Sequence, residues 1–197
     1  MLLQDRLKNH HLILASASPR RRELLADCDL DFVLAEKFDC EECFPADLEA
    51  EKVAEYLSQL KSNAYPHALC ERDILLTADT VVILGDKILG KPHSEAEAVE
   101  MISSLSGATH KVVTGVTLRT MEQTISFSAE SLVSFRKLDA EEVSYYVEKY
   151  RPMDKAGAYG IQEWIGYIGI EGIEGSFYNV MGLPVQRLYT TLKELVK

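Results

Sequence analysis

The sequence lacks a long apolar run, and it has little positive charge for its size. No stretch of about 18 apolar residues occurs within its 197 residues, so an ordinary transmembrane helix is excluded. The first eleven residues also lack the apolar core of a signal peptide. Lysine and arginine total 21 against 31 aspartate and glutamate residues, for a net charge of -10. Because phosphate neutralisation dominates binding to duplex nucleic acid, we expect no such partner, no membrane partner and a cytoplasmic location.

Cysteine is also scarce, with four residues, and two of them, Cys40 and Cys43, form a CxxC pair. A single such pair without suitably spaced histidines is a weak zinc motif. Its acidic neighbours are unlike the strand-to-helix junction of a thioredoxin motif. We predict reduced thiols, while a zinc or redox role for the pair stays open.

Apolar patterns predict an alternation of strands and helices. Candidate strands cover residues 12–15, 32–35, 74–84, 87–89, 110–119 and 124–135. Apolar residues three and four apart predict helices after Asp47, after Ser94, after Asp139 and from Pro184. The glycine-punctuated stretch 164–175 is read as strand and turn or as an irregular loop. Since long hairpins interrupt the alternation, the sequence predicts an α/β fold with a mixed sheet.

Three consecutive arginines follow the first candidate strand, in the stretch SPRRRE. Ser18 followed by Pro19 signals a helix start, so the arginines fall in the first turn. A cation is unfavourable there by a few tenths to ~1 kcal/mol. The placement indicates a bound anion, which backbone amides, the Ser16 or Ser18 hydroxyl and guanidinium groups could hold together. The alternative is that the arginines pair with Glu23 or with the acidic segment 36–55.

Asp79 lies in the middle of the strongly apolar strand 74–84. Burying a carboxylate costs several kcal/mol unless a cation, a metal or hydrogen-bond donors meet it. It is therefore either a metal ligand or general base, or a structural partner of a buried cation. Lys91, between a glycine and a proline, is a rigidly presented cation. The small residues of 154–162 would let the backbone approach a ligand closely, unless they form only a tight turn.

Six segments of the chain together resemble the Maf family of nucleoside triphosphate pyrophosphatases. The resemblance covers residues 12–196, nearly the whole chain. Each motif alone is weak, but six in the family's order are highly specific. They read ASASPRRREL (15–24), ADTVV (78–82), GKP (90–92), SGATHKVVTGV (106–116), DKAGAYGIQ (154–162) and GSFYNVMGLP (175–184).

The resemblance implies one domain over residues 1–197, with an elongated mixed sheet, flanking helices and two lobes around a central cleft. It implies hydrolysis of a nucleoside triphosphate to the monophosphate and pyrophosphate with Mg²⁺ or Mn²⁺, a house-cleaning role, a link to cell-division arrest and a homodimer. The catalytic carboxylate would be Asp79, which with Glu41 would hold the metal; Glu42 is the alternative to Glu41. The phosphate-handling residues implied are Ser16, Arg20, Arg21, Lys61 and Lys91.

The resemblance also implies which base is accepted, through Arg20, Thr80 and Gln162. This combination is similar to the subgroup that acts on dTTP and UTP. The uracil or thymine edge presents an acceptor, a donor and an acceptor, and a glutamine amide can match two of them at once. A glutamate in place of Gln162 could only accept hydrogen bonds. We therefore expect dTTP and UTP to be preferred over dCTP, GTP and ATP.

One further interpretation of the function stays open at this point. A non-catalytic nucleotide or nucleic-acid binder that regulates cell division could use the same basic residues, although Asp79 would repel its ligand unless a metal bridged them. Among the histidines, His110 is expected to be a structural hydrogen-bonding residue and not a catalytic base. The other four show no metal-binding spacing.

Overall fold

A computed structural model describes residues 1–196 of the chain, which divide into two compact units. Unit 1 comprises Met1–Asp79, Thr114–Ala129 and the chain from Gly182 onward; unit 2 comprises Thr80–Val113 and Glu130–Met181. The predicted domain ends at residue 197, which lies outside the described range. No helix within residues 1–196 is long and apolar enough to cross a membrane.

Seven strands form one mixed sheet, which confirms the predicted fold class. They pair in the order β2-β1-β3-β5-β6-β7, and β4 pairs with β3. β1 is parallel to β2 and β3, while β4 and β7 are antiparallel to their neighbours. All six predicted strands are present. The observed bounds of four of them differ from the predicted bounds by one residue at one or both ends. The strands are β1 His11–Leu14, β2 Val33–Leu34, β3 Asp73–Leu84, β4 Lys87–Leu89, β5 Thr109–Arg119, β6 Thr124–Phe135 and β7 Ile170–Glu174.

Eight α-helices and one 3-10 turn complete the described chain. The helices predicted after Asp47, Ser94 and Asp139 and near Pro184 are confirmed. Three helices of five or six residues were not predicted, because fewer than two turns leave no readable period. One of them covers residues 164–169, so the reading of 164–175 as strand and turn is wrong for its first half and right for the strand 170–174. The elements are α1 Leu3–Leu7, α2 Pro19–Ala26, α3 Ala50–Ala64, α4 Glu95–Leu105, α5 Ala140–Tyr150, α6 Trp164–Gly169, α7 Phe177–Met181, α8 Val185–Leu195 and the turn Ala156–Ala158.

In unit 1 a helix and a strand come into close contact at Gly115 of β5. A Cβ atom on this glycine would lie 2.2 Å from the carbonyl oxygen of Ala54 in α3. The helix therefore lies directly on the strand, and no other residue type leaves room for it. Lys61 lies seven residues further along α3, about two turns away on the same side of the helix. Gly115 consequently sets the position from which Lys61 projects.

In unit 2 the helices α4 and α5 bury one face each against the sheet. Their start signals act as the sequence predicts: Ser94 Oγ accepts from the Glu97 N–H at 3.1 Å, and the Asp139 N–H donates to Glu142 Oε2 at 2.9 Å. The buried core includes Val82, Leu89, Ile102, Val133, Tyr146 and Ile165. Segment 154–162 packs on this core.

Candidate functional site

The helix α2 begins where the sequence predicts, at Pro19, with Ser18 as its N-cap residue, although the Ser18 side chain makes no capping hydrogen bond. Arg21, in the first turn, is only 9% exposed. Its Nη1 donates to Ser16 Oγ at 3.1 Å and to the Ala78 carbonyl at 2.8 Å, and its Nε donates to the Gly182 carbonyl at 2.8 Å. Burial lowers the pKa of this guanidinium. Arg21 is thus a buried cation that ties Ser16 to the residue preceding Asp79.

The other two arginines have different surroundings. Arg22 is exposed, and its Nη2 donates to the Ala17 carbonyl at 3.2 Å. Arg20 is half-buried at the second position of α2. The three consecutive arginines therefore differ in burial, because one helical turn points them in three directions.

Asp79 meets a cation, as the cost of its burial requires. Lys61 Nζ lies 2.5 Å from Asp79 Oδ1 and 3.1 Å from Glu42 Oε2. The Asp79 and Lys61 side chains are 12% and 15% exposed, and Glu42 is more open at 43%. We call these three residues the carboxylate–lysine cluster. It places an ammonium group between two carboxylates beside the buried Arg21.

The structure brings Glu42, and not Glu41, to Lys61. Glu41 is exposed, and its Oε1 accepts a hydrogen bond from Cys43 Sγ at 3.5 Å. This bond raises the pKa of the Cys43 thiol, while burial raises that of Cys40. The four cysteines, Cys28, Cys40, Cys43 and Cys70, are unbonded to one another. The contact with Lys61 favours Glu42 over Glu41 as the second acidic residue of the site.

The carboxylate–lysine cluster fits a divalent cation. Within residues 1–196 no group of three or more His, Cys, Asp and Glu side chains is placed to hold a metal by itself. Two carboxylates already converge on one positive charge at Lys61 Nζ. Magnesium is commonly held by one or two carboxylates, with water and substrate phosphates as its other ligands. Asp79 and Glu42 are such a pair.

The remaining predicted residues, Thr80, Lys91 and Gln162, belong to unit 2. Thr80 follows Asp79 in β3 and shares a face of the strand with Val82, since side chains alternate. Val82 lies against Gly157: a Cβ there would be 3.0 Å from Val82 Cγ2. The Gly157 N–H also donates to the Gly90 carbonyl at 3.0 Å, next to Lys91. Segment 154–162 is therefore held between β3 and the end of β4, with Thr80 and Lys91 as neighbours of those contacts.

Gln162 carries a side-chain oxygen that is suited to a ligand. Its Oε1 is buried and has no hydrogen-bond partner among the described residues. Leaving a buried acceptor unsatisfied costs about 1–3 kcal/mol. An acceptor that pairs with a donor on a bound molecule is expected to lack a partner within the protein, as this oxygen does.

Sequence reasoning missed three residues beside Gln162. Tyr146 Oη donates to Glu163 Oε2 and accepts from the Gly160 N–H at 3.0 Å. Lys155 Nζ lies 3.1 Å from Glu163 Oε1 and 2.7 Å from Asp154 Oδ1. We call Tyr146, Lys155 and Glu163 the tyrosine clamp. Tyr146 lies among the apolar residues of α5, and no local spacing links a helix residue to a turn fourteen residues later.

His110 is a buried residue of β5, as the sequence predicts for a structural histidine. Its Nε2 lies 2.7 Å from Tyr159 Oη, and its ring meets those of Phe135 and Tyr159 edge to face. Burial lowers the pKa of His110 to about 4 and raises that of Tyr159. A neutral imidazole in an aromatic cluster supports packing.

Comparison with known proteins gives the family of the chain. A family model described as Maf-like protein matches residues 11–195. A dTTP/UTP pyrophosphatase of Bacteroides thetaiotaomicron is 53% identical over 189 residues, covering 96% of this chain and 98% of the relative. One of Porphyromonas gingivalis, of the same name, is 53% identical over 192 residues, covering 96% of each chain. A solved HAM1 protein from Coxiella burnetii has a TM-score of 0.49 at 14% identity, covering 94% of this chain and 99% of that protein. On its matched length and its identity to these relatives, the chain belongs to the Maf family.

Proposed function

We propose that this protein hydrolyses dTTP and UTP to the nucleoside monophosphate and pyrophosphate with Mg²⁺ or Mn²⁺. The observation that carries the proposal is the buried carboxylate of Asp79, bonded to Lys61 beside the buried Arg21. A metal-free site that only binds polyphosphate gains nothing from an acid there, because the acid repels the ligand. The names of the relatives support the same substrates.

The reaction needs charge stabilisation and placement more than covalent chemistry. The oxygen of a water molecule bonds to the α-phosphorus, the bond from that phosphorus to the bridging oxygen breaks, and pyrophosphate leaves. A triphosphate carries nearly four negative charges, which the cations Arg20, Arg21, Lys61 and Lys91 and the Ser16 hydroxyl offset. Lys91 is exposed, so it is available to a ligand from solvent.

Asp79 and Glu42 would hold the divalent cation. When bound, the cation supplies Lewis-acid stabilisation of phosphate oxygens and lowers the pKa of water. Lys61 orients Asp79 by binding its Oδ1 and neutralises Glu42 while no substrate is bound. The Asp79 carboxylate has two tasks in this proposal: it is an oxygen ligand, and it accepts the proton that the water loses.

The base is recognised through Gln162, Thr80 and Arg20. The Gln162 Oε1 would accept the N3–H of uracil or thymine, and its amide nitrogen would donate to a ring carbonyl. Thr80 and Arg20 would serve the remaining carbonyl. A substrate that leaves the buried polar groups of such a site unpaired has a kcat/KM lower by several orders of magnitude.

A pyrophosphate-release screen over dTTP, UTP, dCTP, GTP and ATP, each with and without EDTA, tests the proposal. We expect dTTP and UTP to be hydrolysed well above the others, and only with Mg²⁺ or Mn²⁺. On a free-energy scale, the variant Gln162→Glu should raise the activation barrier for dTTP hydrolysis more than it lowers the free energy of unfolding. Equal wild-type rates on ATP and dTTP would contradict the assignment of the base, and full activity in EDTA would contradict the metal.

The phosphate assignments have their own test. Arg21→Ala and Lys91→Ala should weaken turnover of every nucleotide by a similar factor, because phosphates are common to all of them. Arg21→Ala should also lower stability, since it removes the hydrogen bonds that Arg21 donates to Ser16 Oγ and to the carbonyls of Ala78 and Gly182. A change of base preference with overall activity intact would refute the phosphate role.

The protein is also proposed to act as a homodimer in the cytoplasm. Light scattering on the purified protein tests the dimer.

A further inference from the structure

One hydroxyl group holds both ends of the turn that carries Gln162. Tyr146 Oη accepts from the N–H of Gly160 and donates to the carboxylate of Glu163. The backbone closes the same turn, because the Glu163 N–H donates to the Gly160 carbonyl at 3.0 Å. Gln162 lies inside these four residues, so its main chain is fixed from both sides.

The tyrosine clamp buries two charged side chains, which a selection for stability alone would not favour. Tyr146 is fully buried and the Lys155 and Glu163 side chains are 10% and 19% exposed. Removing a lysine and a glutamate from water is costly, and an apolar replacement for such a pair is often as stable. The Glu163 side chain also folds across Gly160, where a Cβ would lie 2.8 Å from Glu163 Cδ. A costly, closely fitted network indicates that the position of the turn itself matters.

The position of the turn matters because a glutamine amide pairs with a base only at hydrogen-bonding distance. With its oxygen toward N3 it accepts the N3–H of uracil or thymine and donates to a carbonyl. A turn that moves away from the base loses both hydrogen bonds, and a substrate that depends on them loses more than one that does not. The contribution of Gln162 to the preference for uracil and thymine therefore requires that the residue be held in one place.

We propose that Tyr146, Glu163 and Lys155 are positioning residues that hold Gln162 where its amide pairs with uracil or thymine, so that loss of the clamp weakens the use of dTTP more than that of dCTP; this rests on the proposed function. The three residues act through Gln162 and touch no reacting atom. Tyr146 supplies the two hydrogen bonds that span the turn, and Lys155 holds the carboxylate of Glu163 at 3.1 Å.

The test compares Tyr146→Phe and Glu163→Gln with the wild type, using kcat/KM for dTTP and dCTP. We expect each variant to lower the dTTP-to-dCTP ratio by about 10-fold, with KM for dTTP raised more than kcat is lowered. The matched controls are Tyr145→Phe, an exposed neighbour, and Glu142→Gln, a carboxylate paired with Arg136 at 2.7 Å in the same unit. Both controls should keep the wild-type ratio.

A second background separates positioning from plain structural support. In Gln162→Ala protein, Tyr146→Phe should leave the dTTP-to-dCTP ratio unchanged, because the residue through which it acts is gone. A structural role would instead lower the activity on all nucleotides equally in both backgrounds. Either an unchanged ratio in both single variants or an equal shift in the Gln162→Ala background overturns the inference.

Binding measured by calorimetry keeps this inference distinct from the proposed function. The probes are the non-hydrolysable α,β-methylene analogues of dTTP and dCTP. If the wild type hydrolyses neither nucleotide but prefers the dTTP analogue, and Tyr146→Phe loses that preference, the hydrolase proposal fails and the positioning role stands. If the wild type hydrolyses dTTP but has no preference between the analogues, the positioning role is refuted and the hydrolase proposal stands.

Discussion

Replacement of Asp79 by asparagine should remove nearly all turnover and leave the fold in place. Asparagine has almost the same shape, and its carbonyl can still accept a hydrogen bond from Lys61 Nζ. It cannot accept a proton, and it is a much weaker ligand for a divalent cation than a carboxylate is. The substitution therefore removes the charge of Asp79 while its packing in β3 is kept.

The magnitudes of the two effects follow from the surroundings of Asp79. Loss of a general base or metal ligand costs ~10² to 10⁴-fold in rate, or about 3–5 kcal/mol of transition-state stabilisation. Stability should change less than the rate, because Lys61, although only 15% exposed, keeps Glu42 at 3.1 Å as a counter-charge and can still donate to the asparagine carbonyl. We expect a loss of about 1–3 kcal/mol, at ~2–4 °C in Tm for each kcal/mol.

Pyrophosphate release from dTTP and thermal unfolding measure the two effects on the same preparation. The matched control is Asp73→Asn at the beginning of the same strand, where the carboxylate lies 3.0 Å from His11 Nδ1 and accepts from the Cys70 N–H at 2.8 Å. This control should keep wild-type turnover. A folded Asp79→Asn protein with near wild-type rates would refute the catalytic assignment, and a loss of turnover equal to that of the control would refute its specificity.

Three further predictions concern positions outside that carboxylate. Gly115→Ala should destabilise the protein by ~1–3 kcal/mol in urea unfolding, since its Cβ would fall 2.2 Å from the Ala54 carbonyl oxygen; unchanged stability would contradict the close packing. His110 has a folded pKa of about 4 against 6.5 unfolded, so its contribution is complete above pH 6.5 and is lost as the pH falls toward 4. Between pH 7 and pH 5 the wild type should lose about 2 kcal/mol more than His110→Gln does, and equal losses would show that the imidazole is not held neutral. Replacing Cys40 and Cys43 together by serine should leave turnover unchanged, whereas a large loss would favour the zinc or redox interpretation.

Most of the elements, and the residues that are unusual for a structural role, could be read from the sequence alone. Local signals act within a few residues, so the start of α2 at Pro19 and the caps of α4 and α5 could be read directly. A charge in an apolar strand is unfavourable wherever the strand lies, which is why Asp79 stood out before its partner was known. The six motifs in order indicated the family, which the matched relatives confirm.

Which side chains meet became clear only in the three-dimensional structure. The choice between Glu41 and Glu42 depends on how an extended segment passes Lys61, and one residue of difference reverses the direction of a side chain. The three arginines look equivalent in sequence, but only Arg21 is buried, because the carbonyls of Ala78 and Gly182 come from strands and turns distant in the chain. The tyrosine clamp likewise joins a helix to a turn through one hydroxyl. Contacts of this kind depend on how the whole chain packs, and no short-range pattern encodes them.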